Sequence, residues 1–156
     1  MPNDEQDNAG VIAPPPLIQT APLVLGLLLN RRFRTPFLPR RTSPILGWPL
    51  LIGGGLLWGW FIWALRRAGT SISPEEPVTR LVTDGPFRYT RNPGYLSATL
   101  IYVGIASLAN ALWAILLLPA VLIAIQRGVI EREERYLERR FGDDYLRYKA
   151  QVRRWI

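Results

Sequence analysis

A short stretch, residues 85–96, combines turn formers, cations and aromatic rings just before a long apolar run. Its Asn92-Pro93 pair predicts a helix start, because proline fits the first turn and the residue before a proline favours extended geometry. A helix start carries unpaired N–H groups and a partial positive charge, and Arg88 and Arg91 flank this one. The stretch therefore predicts an anion site, although such arginines can also anchor a membrane segment at the lipid headgroups.

A second group of candidate residues lies in a charged segment after the last apolar run. At about 100° per residue from Ile130, Glu134 falls inside an apolar stripe that it shares with Leu137 and Phe141. Glu133 lies at the edge of that stripe. A carboxylate that faces an apolar surface normally has a partner, so we expect Glu134 to be buried beside a cation.

The composition restricts the chemistry that these residues can do. The chain of 156 residues has no cysteine and no histidine, which excludes disulfides, thiolate nucleophiles, Cys/His metal sites and a histidine base. Catalysis must therefore rest on carboxylates, arginine, tyrosine, asparagine or positioning alone. A net charge of +7 could indicate nucleic acid, but no nucleic-acid motif is present and the basic residues border apolar runs. With 49% hydrophobic residues, the composition favours a membrane protein.

Apolar segments long enough to cross a membrane position the candidate residues. The segment from Pro44 to Leu65 carries no charge and is the clearest span, and the glycines at 53–55 predict a face for close helix packing. The earlier segment 17–29 reaches the required length of roughly 20 residues only if its helix begins near Val11. We interpret it as a span, with an interfacial or re-entrant helix as the alternative.

The apolar run over residues 94–125 must turn back on itself. As one helix it would be about 48 Å long, whereas the hydrocarbon core of a bilayer is about 30 Å thick. Residues 108–110 are the natural turn of the resulting hairpin. The second helix of the hairpin then continues past the membrane and ends at Gly142. A last amphipathic helix carries aromatic and aliphatic residues at helical spacing, namely Tyr145, Tyr148, Val152 and Trp155.

Together these features predict an all-α, polytopic membrane protein with about four transmembrane helices, a tight C-terminal helical hairpin and amphipathic cytoplasmic helices after it. We expect a polar N-terminal tail over residues 1–10 and a single membrane domain over residues 11–156. Lysines and arginines are more numerous on the side that holds the N-terminus, the loop before Pro93 and the C-terminus. The positive-inside rule places that side in the cytoplasm.

The sequence GPFRYTRNPGYL of residues 85–96 resembles a known signature, G-P-[FY]-R-[YF]-x-R-[HN]-P-x-Y-L. This signature belongs to the isoprenylcysteine carboxyl methyltransferase-like and phospholipid N-methyltransferase-like integral membrane enzymes. A second motif, which begins at Glu133-Glu134 and ends at Tyr148, resembles their C-terminal motif. The resemblance covers residues 66–154, with the signature in segment 79–96 and the C-terminal motif in segment 127–154.

The resemblance implies that the protein uses S-adenosyl-L-methionine and holds it between segment 79–95 and the C-terminal helix. Carried over residue by residue, the family's cofactor contacts fall on Thr79, Arg80, Leu81, Val82, Phe87, Asn92, Pro93, Gly94, Tyr95 and Glu133. The implied reaction is methyl transfer to a carboxylate or amine of a lipophilic small-molecule or lipid-modified acceptor in the bilayer. We expect neither nucleic acid nor a metal as a partner.

Arg91 and Glu134 are the candidate catalytic residues. The resemblance assigns the cofactor to Glu133, whereas the helical wheel buries Glu134 more deeply. Buried there, Glu134 needs a cation, and Arg91 and Arg88 lie closest to the predicted helix start. We therefore expect Glu134 and one of these arginines to form a clasp that closes the site while Glu133 selects the cofactor.

Two positions depart from the family pattern. Asn92 stands where many relatives have histidine. Val129 stands where the eukaryotic members have an arginine that handles the prenylcysteine carboxylate, and Arg127 is the nearest replacement. The acceptor therefore stays open. Two other functions also stay open, an NADPH-dependent membrane reductase related to the sterol reductases and a non-catalytic membrane protein of the same fold.

Tyr95 and Tyr102 lie on nearly one face of their predicted helix. This placement has two interpretations. The two rings border a gap through which a lipophilic acceptor enters from the bilayer, or they belong to an aromatic belt at the membrane interface.

Overall fold

The computed structural model describes residues 10, 11, 13–71 and 78–156. Nearly all of the predicted polar tail, residues 1–9, lies outside the described residues. The same holds for residues 72–77, the middle of the loop that precedes the signature.

All regular structure in the described part of the chain is helical, which confirms the all-α prediction. The helices are α1 (Pro15–Arg32), α2 (Thr42–Ala68), α3 (Pro93–Leu108), α4 (Leu112–Ile125), α5 (Glu131–Phe141) and α6 (Asp143–Gln151). A 3₁₀ turn, Gly85–Arg88, precedes α3, and a π-helical turn, Gln126–Ile130, joins α4 to α5.

Several predicted boundaries are confirmed. α3 begins at Pro93, the hairpin turns directly after Leu108, and α5 ends before Gly142, whose φ of +52° suits a glycine. The predicted continuation of the hairpin's second helix is also present, because α4 passes through the π-turn into α5. The π-turn itself had no signal in the sequence.

Close backbone contact holds α2 against α3. A Cβ atom on Gly54 would lie 2.9 Å from the backbone nitrogen of Ile101 and 2.9 Å from the carbonyl oxygen of Ser97. The predicted packing face of glycines is therefore confirmed at Gly54. Its neighbours Gly53 and Gly55 face open space, with nothing within 4 Å of such a Cβ atom.

The end of the bundle away from the signature is fastened by Asn110 in the α3–α4 turn. Its side-chain oxygen accepts hydrogen bonds from the backbone N–H groups of Phe37 and Leu38, each at 2.9 Å, and its amide donates to the Leu38 carbonyl oxygen at 2.7 Å. The α1–α2 loop and the hairpin turn therefore lie at the same end. The signature loop and α5 meet at the other end.

Two helices of the described chain are long and apolar enough to cross a membrane, Thr42–Ala68 and the continuous helix Leu112–Phe141. Much of the apolar surface of α2 is exposed, including Ile45 at 66% and Leu56 at 71%, as expected of a helix that contacts lipid. α3 is apolar but shorter. The count of four transmembrane helices stays a prediction.

The predicted last helix is wrong beyond Gln151. The helical spacing extended it to Trp155, but α6 ends at Gln151 and Val152 has extended backbone angles, φ −119° and ψ 132°. The carbonyl groups of Arg153 and Arg154 accept hydrogen bonds from the signature loop instead of continuing the helix. The apolar face of α6 also packs on protein, because Tyr145 and Tyr148 on this face are buried.

Candidate functional site

A cavity of about 830 Å³ lies between the helices at the signature end. Most of the residues that the sequence analysis singled out line it: Arg80, Leu81, Val82, Phe87, Arg91, Asn92, Pro93, Gly94, Tyr95, Glu133 and Glu134. Among the residues that the resemblance assigns to the cofactor, Thr79 is the exception. It is exposed, its hydroxyl donates to the Gly69 carbonyl oxygen at 3.2 Å, and its backbone N–H donates to the Thr70 hydroxyl. The structure therefore bonds Thr79 to the end of α2, and Thr79 does not line the cavity.

Glu133 and Tyr95 meet at the wall of this cavity. The Tyr95 hydroxyl donates a hydrogen bond of 2.6 Å to Oε1 of Glu133. The bond joins the start of α3 to α5, and it holds the carboxylate in one orientation. The remaining lone pairs of Glu133 are left for a ligand with hydrogen-bond donors.

Glu134 is the buried carboxylate that the helical pattern predicted, with 6% of its surface exposed. Nη1 of Arg91 lies 3.2 Å from its Oε1, so the predicted contact with a signature arginine is present. The other candidate, Arg88, is exposed. That the Arg91–Glu134 pair acts as a clasp stays a prediction.

Arg154 is a partner of Glu134 that sequence reasoning missed. Its Nε donates to Oε1 of Glu134 at 3.0 Å and its Nη2 donates to Oε2 at 2.7 Å, which is a forked, bidentate pairing. The hydrogen bond to Glu134 raises the pKa of Arg154 above its usual range. No spacing signal could reveal this pair, because Arg154 follows the end of α6 and reaches Glu134 only through the path of the tail.

The tail also fixes the backbone of the signature loop. The Arg91 N–H donates to the Arg153 carbonyl oxygen at 3.0 Å. The Thr90 hydroxyl and the Asn92 amide both donate to the Arg154 carbonyl oxygen, at 3.2 and 2.9 Å. The Asn92 side chain therefore holds the tail with its amide, at the position where the resemblance implied a cofactor contact.

Two tyrosines of α6 complete the wall beside these charges. Burial raises the pKa of Tyr145 to about 12, the charge of Glu134 adds to this rise, and the Arg91 guanidinium opposes it. Burial also raises the pKa of Tyr148, whose hydroxyl donates to the Phe87 carbonyl oxygen at 2.8 Å. Both side chains therefore stay protonated at neutral pH.

Tyr102 contradicts the interpretation of an interfacial aromatic belt. It lines the cavity, only 2% of its surface is exposed, and its hydroxyl donates to the Ala114 carbonyl oxygen of α4 at 2.8 Å. The entry of an acceptor beside Tyr95 and Tyr102 stays a prediction. Val129 is fully buried in the core and does not line the cavity.

The described chain is thus a helical protein with two helices able to cross a membrane and a large cavity that holds paired carboxylates and arginines. The family model described as phospholipid methyltransferase matches residues 42–144. The chain belongs to the phospholipid methyltransferase family.

The chain is also similar to two curated proteins. One is a protein-S-isoprenylcysteine O-methyltransferase of Schizosaccharomyces pombe, 36% identical over 94 residues, which are 57% of this chain and 40% of the yeast protein. The other is an uncharacterized protein of Haemophilus influenzae, 54% identical over 35 residues, 22% of this chain and 56% of that protein. The chain spans about half the length of these relatives. No solved structure matches it.

Proposed function

We propose that the protein transfers a methyl group from S-adenosyl-L-methionine to a lipophilic or membrane-associated acceptor that reacts through a carboxylate or an amine. One observation carries the proposal. In a chain of the phospholipid methyltransferase family, a cavity is lined by nearly all the residues that the resemblance assigns to the cofactor. The yeast relative, a protein-S-isoprenylcysteine O-methyltransferase by name, supports a lipid-modified acceptor.

The residues of the cavity fit this cofactor. Sites for ligands of this size measure about 300–1,000 Å³, and the cavity has about 830 Å³. The Glu133 carboxylate suits the cofactor's ammonium group. The start of α3 at Pro93 suits its carboxylate, because a helix N-terminus attracts anions. Leu81 and Phe87 offer apolar and aromatic surface for the adenine.

The cofactor supplies a methyl group that its sulfonium centre already activates. The protein therefore has to align the acceptor and exclude water, which requires no histidine. The Tyr95 hydroxyl orients the Glu133 carboxylate. The ion pair between Arg91 and Glu134 holds α5 against the signature loop and closes the site at that point.

We further propose that the protein resides in the inner or cell membrane, with the site and the C-terminus on the cytoplasmic side. The larger number of lysines and arginines at the signature end supports this orientation. It would bring the cavity to the cytoplasmic pool of the cofactor. A reporter fused to the C-terminus should be active only in the cytoplasm, and activity outside would contradict the orientation.

Calorimetry in detergent tests which cofactor the protein binds. We expect the purified protein to bind S-adenosylhomocysteine, the demethylated product of the cofactor, and not to bind NADPH. Binding of NADPH alone would favour the membrane reductase, which has no support among the relatives described above. Binding of neither compound would favour a non-catalytic protein.

A further inference from the structure

We propose that Arg91 forms a binding site for a carboxylate inside the cavity, an inference that rests on the proposed function. Its side chain is 9% exposed and lines the cavity. Two of its nitrogen atoms, Nε and Nη1, are buried and have no hydrogen-bond partner in the part of the chain that the structure describes. Buried polar groups are nearly always hydrogen-bonded, so these donors point to a ligand.

The geometry around Glu134 explains why Arg91 has donors left. Both carboxylate oxygens of Glu134 already accept hydrogen bonds from Arg154, at 3.0 and 2.7 Å. Nη1 of Arg91 lies 3.2 Å from Oε1, close enough for charge attraction but outside hydrogen-bond geometry. Glu134 therefore compensates the charge of Arg91 without using its Nη1 donor, and although Arg91 also has a side-chain hydrogen bond with Tyr145, its Nε and Nη1 stay available. Arg154 positions Glu134 for this task.

The ligand class follows from the chemistry of the guanidinium group. Its planar set of donors matches the two oxygens of a carboxylate. The positive end of α3, which starts at Pro93, adds to the attraction for an anion. The only other arginine among the described residues that line the cavity is Arg80, which is exposed. Arg91 is thus the buried cation that a carboxylate in the cavity would meet.

Two molecules of the proposed reaction can carry this carboxylate. One is the cofactor, whose amino-acid end would then place its ammonium group at Glu133 and its carboxylate at Arg91. The other is an acidic lipophilic acceptor. Val129, at the position where eukaryotic members have a carboxylate-binding arginine, cannot bind such an acceptor, because its side chain is buried and does not line the cavity.

The variant Arg91→Gln separates the two sources, with Arg88→Gln as the matched control because Arg88 is exposed in the same signature. For the cofactor, calorimetry compares S-adenosylhomocysteine with its decarboxylated analogue. If the cofactor supplies the carboxylate, Arg91→Gln loses about tenfold to a hundredfold in affinity for S-adenosylhomocysteine and little for the analogue. Arg88→Gln should behave as the wild type.

For the acceptor, the assay measures binding of labelled dodecanoate and labelled dodecanol to the protein in nanodiscs. The protein is saturated with S-adenosylhomocysteine, and empty nanodiscs give the background. If the acceptor supplies the carboxylate, the wild type prefers dodecanoate and Arg91→Gln loses this preference. Arg91→Gln with unchanged selectivity in both assays would refute the site. If Arg91→Gln does not fold, Arg91→Lys replaces it, since Lys keeps the charge beside Glu134 but lacks the planar fork.

The same assays distinguish the site from the proposed function. A wild type that binds S-adenosylhomocysteine, with no effect of Arg91→Gln or Arg91→Lys, would refute the carboxylate site and leave methyl transfer standing. A wild type that binds no S-adenosylhomocysteine but prefers dodecanoate through Arg91 would keep the site and refute the function.

Discussion

We expect the neighbouring glutamates Glu133 and Glu134 to have different tasks at this site, binding of the cofactor and stabilisation of the fold. Glu133 faces the cavity with one hydrogen bond from Tyr95, whereas Glu134 is buried between two arginines. Within the part of the chain that the structure describes, the one ion pair of their neighbour Glu131 is a distant contact, 3.8 Å from Arg154. Glu131 is therefore a suitable control for substitutions of the pair.

We expect Glu133→Gln to weaken binding of S-adenosylhomocysteine while the protein keeps its thermal stability. Glu134→Gln should lose about 3–5 kcal/mol in the free energy of unfolding, because it leaves the buried Arg91 without its counter-charge. Calorimetry in detergent measures the binding, and thermal unfolding in detergent measures the stability. The control variant Glu131→Gln should match the wild type in both. The opposite pattern for the two substitutions would contradict this division.

The raised pKa of Tyr145 predicts that the protein loses stability at high pH. Its folded-state pKa of about 12 is raised above the ordinary value of 10.0, so the folded protein keeps a proton that the unfolded chain releases. The free energy of unfolding should therefore fall as pH rises above about 10, by about 1.4 kcal/mol per pH unit for this group until about pH 12. Tyr145→Phe should flatten the slope by that amount in unfolding titrations, and an unchanged slope would contradict the burial of this hydroxyl.

The sequence predicted part of this residue-level arrangement. The signature supplied Arg91 and the helical stripe supplied Glu134, so their contact followed once a helix start and a helix face were expected to meet. Arg154 could not be predicted, because it reaches Glu134 through an extended tail rather than a periodic element. That Thr79 does not line the cavity could not be predicted either, because a motif gives the order of residues, not the direction in which each side chain points.

The C-terminal tail after α6 is the element that most directly orders the signature loop. Its carbonyl groups accept hydrogen bonds from Thr90, Arg91 and Asn92. Proline and glycine correctly predicted two other boundaries, the start of α3 at Pro93 and the end of α5 before Gly142. The predicted end of α6 was wrong because Val152 and Trp155 keep helical spacing, while the carbonyl groups of Arg153 and Arg154 accept hydrogen bonds from the signature loop instead of forming a further helical turn.

We expect deletion of residues 153–156 to loosen the loop. The deletion removes the three hydrogen bonds to the loop and the forked bond of Arg154 to Glu134, so thermal stability and S-adenosylhomocysteine affinity should both fall. Hydrogen exchange at the Arg91 amide, which is bonded to Arg153, should become faster. Deletion of Ile156 alone, which is 78% exposed, is the control and should change none of these.

At the scale of the whole molecule, the cavity depends on segments beyond the family match over residues 42–144. α1 contributes Gln19 and Leu23 to its wall, and α6 contributes Tyr148. The sequence did not reveal the part played by α1, because that helix is apolar on most sides and no face is marked for burial. Segments on both sides of the family match therefore help to enclose the cavity.

Methyl transfer by the purified protein in nanodiscs tests the central claim most directly. Labelled S-adenosylmethionine is supplied with phosphatidylethanolamine in the nanodisc or with N-acetyl-S-farnesylcysteine, an amine and a carboxylate acceptor. We predict that label enters one of these lipophilic acceptors with the wild type and with Glu131→Gln, and at least tenfold more slowly with Glu133→Gln. Equal transfer by Glu133→Gln, or no transfer to either acceptor by a folded wild type that binds S-adenosylhomocysteine, would contradict the account.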